Sequence, residues 1–181
     1  MSHWYIIGKH PRGQHYKNFR NWKAVKSIGL NEAAYLYGTK LAITGHNSVL
    51  QKLYENGYTT NVIIPDAPFD PFMDIKHECL TIKHAGISDK HNHPYELIRE
   101  MVADAIAKKD RPYFDFWTVL HLAVSYVLIE GAKEITLIGC NQTPGFLPGM
   151  LPGKRIDYAL HHSKLMVDAC REFGIKVNWL K

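Results

Sequence analysis

Several large functional classes are excluded by what this sequence lacks. It has only three cysteines, Cys79, Cys140 and Cys170, far apart and odd in number. No CxxC pair occurs, so neither a disulfide framework nor a zinc knuckle is indicated, and reduced thiols without metal are expected. No run reaches the roughly 18 uninterrupted apolar residues of a membrane helix. The longest apolar-rich segment, 114–129, is broken by Asp115, His121 and Ser125. The start, Met1-Ser2-His3-Trp4, lacks the charged region and apolar run of a secretion signal. Internal repeats, low-complexity tracts and Ser/Gly-rich linkers are missing too. The P-loop pattern GxxxxGK[ST], the dinucleotide pattern GxGxxG and the GxSxG elbow are absent. These absences lead us to expect a cytoplasmic protein with no membrane span, folded as one domain over 1–181.

What is present is ordinary globular material. Of 181 residues, 46% are hydrophobic and 22% charged, which excludes disorder of the whole chain. Lys and Arg number 22 against 17 Asp and Glu, a net +5 that favours a phosphate-bearing partner. Eleven histidines are many for this length, and part of them can charge just below pH 7.

Short apolar runs predict strands at 3–8, 24–30, 41–44, 61–64, 79–83, 134–139 and 175–180. Helices are expected over 47–56, 94–108, from 115 or 118 to 130, and over 156–173, with a helical turn at 32–37. Residues 66–93 read as a loop-rich zone, and 143–153 as a Pro/Gly-rich loop. Strands alternating with helices imply an α/β fold, a mainly parallel sheet covered on both faces. Ligands of such sheets bind beyond the carboxyl ends of the strands. That rule nominates Gly8 to Arg12, Asn31, Gly45 to Asn47, Asp66 and Cys140 to Thr143.

The loop Gly8-Lys9-His10-Pro11-Arg12-Gly13 is the best phosphate candidate. Glycine permits a tight turn with N–H groups facing an anion, and Arg12 can grip a phosphate with two parallel bonds. The alternative is a basic surface loop. Asn31 ends the second strand, where its carboxamide could read a base or sugar. Spacing alone favours a helix cap instead.

His161 and His162 lie early in the last long helix. Stepping 100° per residue from Ile156 puts His162 at the edge of the apolar arc and His161 nearly opposite. His162 can therefore look inward and serve as a general base near neutral pH, or be a buried histidine with a satisfied hydrogen bond. The stretch 143–155 reads as a lid or as an oligomer contact. His77, His84, His91 and His93 show no metal-ligand spacing, and no HExxH occurs, so no metal site is expected. Basic residues of the first 30 positions alternate with Trp4, Tyr5, Tyr16, Phe19 and Trp22, a pattern that can bind single strands. Trp4 and Tyr5 read as core strand residues, so nucleic acid is not the expected partner.

Two segments carry a family resemblance. One is Tyr5-Ile-Ile-Gly-Lys-His-Pro-Arg12, followed by Ser27-Ile-Gly-Leu-Asn31. The other runs from Thr118 through Gly-Ala-Lys-Glu-Ile-Thr-Leu-Ile-Gly to Asn141. Together they resemble a superfamily that includes bacterial lipo-oligosaccharide sialyltransferases and archaeal 6-hydroxymethylpterin diphosphokinase-like domains. The resemblance implies a Rossmann-like fold. It implies that Gly8, Lys9, His10, Pro11 and Arg12 cradle nucleotide phosphate or ribose, that Asn31 touches base or sugar, and that Thr118 contacts the nucleotide. Asn141 stands where the family usually has Asp, so it is expected to bind the nucleotide without an acidic or metal-binding role. His162 or His161 matches the transferase general base. Gly45, at a strand end, completes the expected nucleotide edge.

The leading expectation is a nucleotide-dependent, glycosyltransferase-like enzyme that uses a nucleotide-activated sugar and an unassigned acceptor, without a metal. One alternative is ATP-dependent pyrophosphoryl transfer, for which Mg²⁺ would be expected. Another is a non-catalytic nucleotide-binding or sequestering protein. Trp179 and the apolar 143–153 loop also suggest a homo-oligomer.

Overall fold

The computed structural model describes residues 2–19, 21–67, 72–87, 95–115, 118–140 and 153–180. Seven strands form one parallel sheet. They are β1 (His3–Ile7), β2 (Lys26–Leu30), β3 (Leu41–Ile43), β4 (Val62–Pro65), β5 (Leu80–Ile82), β8 (Glu134–Ile138) and β9 (Lys176–Leu180). Their order is β5-β4-β3-β2-β1-β8-β9. The chain winds outward from β1 to β5, then returns to the other side of β1 to add β8 and β9. The order therefore reverses between β1 and β8, the switch point beside which such sheets bind ligands. The protein is thus a single-domain, Rossmann-like α/β fold.

Strand alternation sorts the residues between two faces. Ile6, Ile28, Ile43 and Ile63 are fully buried toward α3 (Tyr95–Ile106), α4 (Val119–Ile129) and α5 (Gly153–Glu172). Each such burial contributes about 1.5–3 kcal/mol. Across the sheet, Ala42, Val62 and Ile64 pack on α1 (Ala33–Tyr37) and α2 (Asn47–Glu55). Ile7 and Ile138 on that side are covered by Tyr16.

Tyr16 belongs to a device the hydropathy pattern did not reveal. Two 3-10 helices, η1 (Pro11–Asn18) and η2 (Trp22–Ala24), join β1 to β2, so β2 begins at Lys26 and not at Ala24. With three residues per turn, every third side chain points the same way. Gly13 and Tyr16 turn inward, and the Tyr16 hydroxyl donates to the Trp22 carbonyl at 2.9 Å and lies in hydrogen-bond contact with Ser27 Oγ at 2.7 Å. The zone read as loops holds more order than expected. β6 (His84–Ile87) and β7 (Tyr113–Asp115) pair in parallel as a separate two-stranded sheet. Their runs are short and carry polar residues, so no alternation announced them.

α4 is buried on nearly every side, from Val119 through Ser125 and again at Val127 and Leu128. It sits between the sheet and α3 and α5. No described helix is long and apolar enough to cross a membrane.

Candidate functional site

The carboxyl ends of β1 and β8 meet at very close range. A Cβ on Gly8 would collide with the Gly139 carbonyl, and Gly139 itself has φ +64°. Two glycines are thus required simply for the strand exits to pass one another. Gly8 N–H donates to Ile138 O at 2.8 Å and His10 N–H to Gly139 O at 3.2 Å. Gly13 N–H donates to His10 O at 2.7 Å, and Arg12 N–H to His10 Nδ1 at 3.2 Å. Four amides of the supposed phosphate loop are therefore engaged within the protein. What the loop offers a ligand is mainly its side chains.

Those side chains differ. Lys9 Nζ is held by the Glu32 carboxylate at 3.0 Å. Burial raises the Glu32 pKa, but hydrogen bonds from its own main chain and from Lys9 outweigh this and hold it below the usual range. The Tyr37 hydroxyl donates to the His10 carbonyl at 3.0 Å, bracing the loop from α1. Arg12 is exposed and makes no ion pair among the described residues.

Asn31 follows β2 in the left-handed region, at φ +53°. Asparagine tolerates this conformation better than most residues. Its N–H donates to Ile43 O at 2.9 Å, and its carbonyl accepts from Ala34 N–H at 3.2 Å. The main chain thus begins α1, while the side-chain Oδ1 is buried without a hydrogen-bond partner among the described residues. A buried polar atom left without a partner costs about 1–3 kcal/mol, so a protein keeps it for a reason. Asn31 does not cap α1 with its side chain; that helix has no side-chain cap.

Gly45 is buried two residues after β3, and the Thr44 hydroxyl accepts from His46 N–H at 3.2 Å. After β4, Asp66 Oδ1 accepts from His84 N–H at 2.6 Å, so this carboxylate ties β4 to β6. Cys140 and Cys170 are buried, and burial pushes both thiols up to about 12. Neither is a nucleophile at neutral pH. No metal-binding group of three His, Cys, Asp or Glu residues exists among the described residues.

Thr118 caps α4, its Oγ1 accepting from Leu120 N–H at 3.3 Å. Three residues on, His121 Nδ1 lies 3.2 Å from the Thr118 carbonyl and 3.4 Å from Oγ1. A short turn carries the far end of α4 into the start of β8, so Thr118 and His121 lie toward the carboxyl ends of the strands. His121 is fully buried, and its pKa is pushed down to about 3. Burial is the main cause. The Thr118 main chain opposes it, and His162 both lowers the value through its charge and raises it through its main chain. His162 is thus the neighbour of His121.

His162 is 1% exposed, while adjacent His161 is exposed, in line with the helical-wheel reading. In the sequence His121 is visible only as an interruption of an apolar run. A histidine three residues after a capping threonine was the available signal. Asn141 and the 143–152 part of the supposed lid lie outside the described residues, as do His91 and His93. The remaining lid positions, 153–155, begin α5. Comparison with known proteins gives no match to a family model, a curated protein or a solved structure.

Proposed function

We infer that this chain is a nucleotide-dependent transferase of glycosyltransferase-like chemistry. The observation that carries the reading is Asn31: a left-handed residue at a strand end beside the switch point, with its Oδ1 buried and without a partner among the described residues. Such an oxygen suits an N–H or O–H donor of a base or ribose. Arg12 would neutralise charge on the leaving phosphate, acting as a fixed cation in place of a metal.

His162 would take the proton from an acceptor hydroxyl through a ring nitrogen. His162 is buried, 1% exposed, and a general base must be neutral before it acts. His121 stays uncharged at every physiological pH, so it does not compete for the proton. It packs beside His162 as a fixed neutral wall. The acceptor oxygen then attacks the anomeric carbon, the bond to the phosphate oxygen breaks, and the nucleotide leaves with the electron pair.

A thermal-shift screen against CMP, UMP, GDP, ATP, CMP-sugars and UDP-sugars, each with and without Mg²⁺, tests the reading. A ligand that binds only the folded state raises its apparent stability, by about 2.7 kcal/mol at a hundredfold excess over Kd. A metal-free shift with one nucleotide or nucleotide-sugar is expected. A shift only with ATP and Mg²⁺ would favour pyrophosphoryl transfer, and no shift at all would remove the nucleotide reading.

A further inference from the structure

Glu32 is the first acidic residue of the chain, and it stands just past β2, next to Asn31. The topology gives that position a meaning. β2 pairs with β1 in parallel, so the loop after β1 and the residues after β2 leave the sheet side by side. In nucleotide-binding sheets with this order of neighbours, a carboxylate at the end of the second strand accepts from the ribose 2′-hydroxyl. It falls about 20 residues beyond the first loop. The GxGxxG loop of those sheets is absent here. The strand order, however, is what places the carboxylate, and that order is shared.

The Glu32 carboxylate is available for such a role. The residue occupies the N-cap position of α1, yet its side chain makes no capping hydrogen bond. Lys9 Nζ, from the loop after β1, meets its Oε1 at 3.0 Å, and Oε2 makes no ion pair among the described residues. A carboxylate has about four lone-pair sites on its two oxygens, so the contact with Lys9 leaves it able to accept more. The side chain is 19% exposed, sheltered from bulk water but within reach of a ligand. Its carboxyl is held below the usual range and is therefore ionised at neutral pH.

A partly exposed ion pair stabilises a fold little, so the Lys9–Glu32 pair has little value as a staple alone. At a nucleotide edge its charge balance has a use. A bare carboxylate near a phosphate would repel it, and Lys9 cancels that charge while leaving oxygen free to accept. Asn31 adds a second acceptor on the preceding residue, the Oδ1 that is buried without a partner among the described residues. Two consecutive acceptors suit a ligand that presents neighbouring donors. The vicinal hydroxyls of a ribose are such donors, whereas a fully ionised phosphate offers none.

We propose that Glu32 selects ribonucleotides at this site, its carboxylate accepting a hydrogen bond from the ribose 2′-hydroxyl while Lys9 cancels its charge. The proposal rests on the nucleotide reading above and narrows it to ligands with an intact ribose.

The test is isothermal calorimetry at neutral pH with CMP, UMP, GMP and AMP, each beside its 2′-deoxy and 2′-fluoro-2′-deoxy forms. A ribonucleotide that binds should do so about tenfold or more tighter than its 2′-deoxy form, which lacks the charge-assisted bond. The 2′-fluoro form should bind no better than the 2′-deoxy form, because fluorine cannot donate to a carboxylate. Glu32→Ala should bring all three forms to nearly equal affinity. The Lys9 released in that variant changes phosphate affinity equally for all three, so their ratio reports on the ribose alone. A merely structural Glu32 would leave the ratio unchanged. If Glu32→Ala does not fold, Glu32→Gln takes its place; it keeps the shape, loses the charge and should shrink the preference severalfold. Equal binding of ribose and deoxyribose forms by the natural protein would overturn the assignment and leave the nucleotide site standing. So would tight binding of the 2′-fluoro form, or an undiminished preference in the variant. Failure of all four nucleotides to bind would remove the site itself, and this role with it.

Discussion

Acidification should destabilise this protein through His121 in a way that a single substitution can isolate. The His121 pKa is held at about 3 in the folded protein, against an ordinary value of 6.5. In the unfolded chain the ring takes up a proton near pH 6.5. In the folded protein it stays neutral down to about pH 3. Between these values the unfolded state binds more protons, so stability is full above pH 6.5 and falls as pH falls. At pH 5 the gap is about 1.5 units at about 1.4 kcal/mol each, a loss of about 2 kcal/mol from this residue. Because pH 5 lies well above the folded value, the figure depends on the unfolded pKa and hardly on the depth of the shift.

Other groups act elsewhere or in parallel. The Asp104 carboxyl, held low chiefly by its hydrogen bond from Lys109, and Glu134, held low chiefly by Lys176, lose their contributions only as pH falls through and below about 4.5. His3 and His84, both lowered by burial, add to the same loss as His121. The comparison is therefore between the natural protein and His121→Gln, each unfolded in urea near pH 7.5 and near pH 5. The natural protein should lose about 2 kcal/mol more than the variant, equivalent to roughly 4–8 °C in melting temperature. Equal losses would refute the claim that a neutral histidine is locked in this site.

Gly8→Ala should destabilise the fold by about 1–3 kcal/mol, since its methyl group meets main chain that cannot move aside; an unchanged urea midpoint would contradict the close approach of β1 and β8. Arg12→Ala should change stability by less than about 0.5 kcal/mol, because the residue is exposed without an ion pair. Its nucleotide affinity should fall in calorimetry, and unchanged affinity would remove Arg12 from the phosphate site. His162→Ala should lower turnover by about 10² or more. Full activity in that variant would move the base to another residue.

The fold was largely legible because its signals are strong and local. The Glu134–Ile138 strand is an apolar run between a turn glycine and a strand-end glycine, and α2 stops where Gly57 adopts φ +84°. What escaped were elements whose stability comes from distant partners. The η1 segment has no helical hydropathy of period 3.6, and it is held by Tyr16 reaching Ser27 across the sheet. β6 and β7 are three or four residues long without an alternating pattern, and pairing with each other defines them.

Which residues end the strands was legible; how their amides and side chains are engaged was less so. The strand-end rule places Gly8, Asn31, Gly45 and Asp66 at one edge of the sheet from the sequence alone. It could not show that the Gly8–Gly13 amides are engaged internally, because that depends on the approach of β8. Nor could it show His121, whose meaning comes from the packing of α5 on α4. The inward turn of His162 was readable, since 3.6-residue periodicity alone separates it from His161.

The most direct measurement is isothermal calorimetry of the nucleotide or nucleotide-sugar giving the largest thermal shift, on the natural protein and on Asn31→Gly. Glycine keeps the left-handed backbone while removing the buried carboxamide, whose Oδ1 has no partner to lose. The account predicts stability within about 1 kcal/mol of the natural protein. It also predicts affinity weaker by about tenfold, the worth of one buried hydrogen bond. Equal affinity in the two proteins, or no nucleotide binding by either, would contradict it.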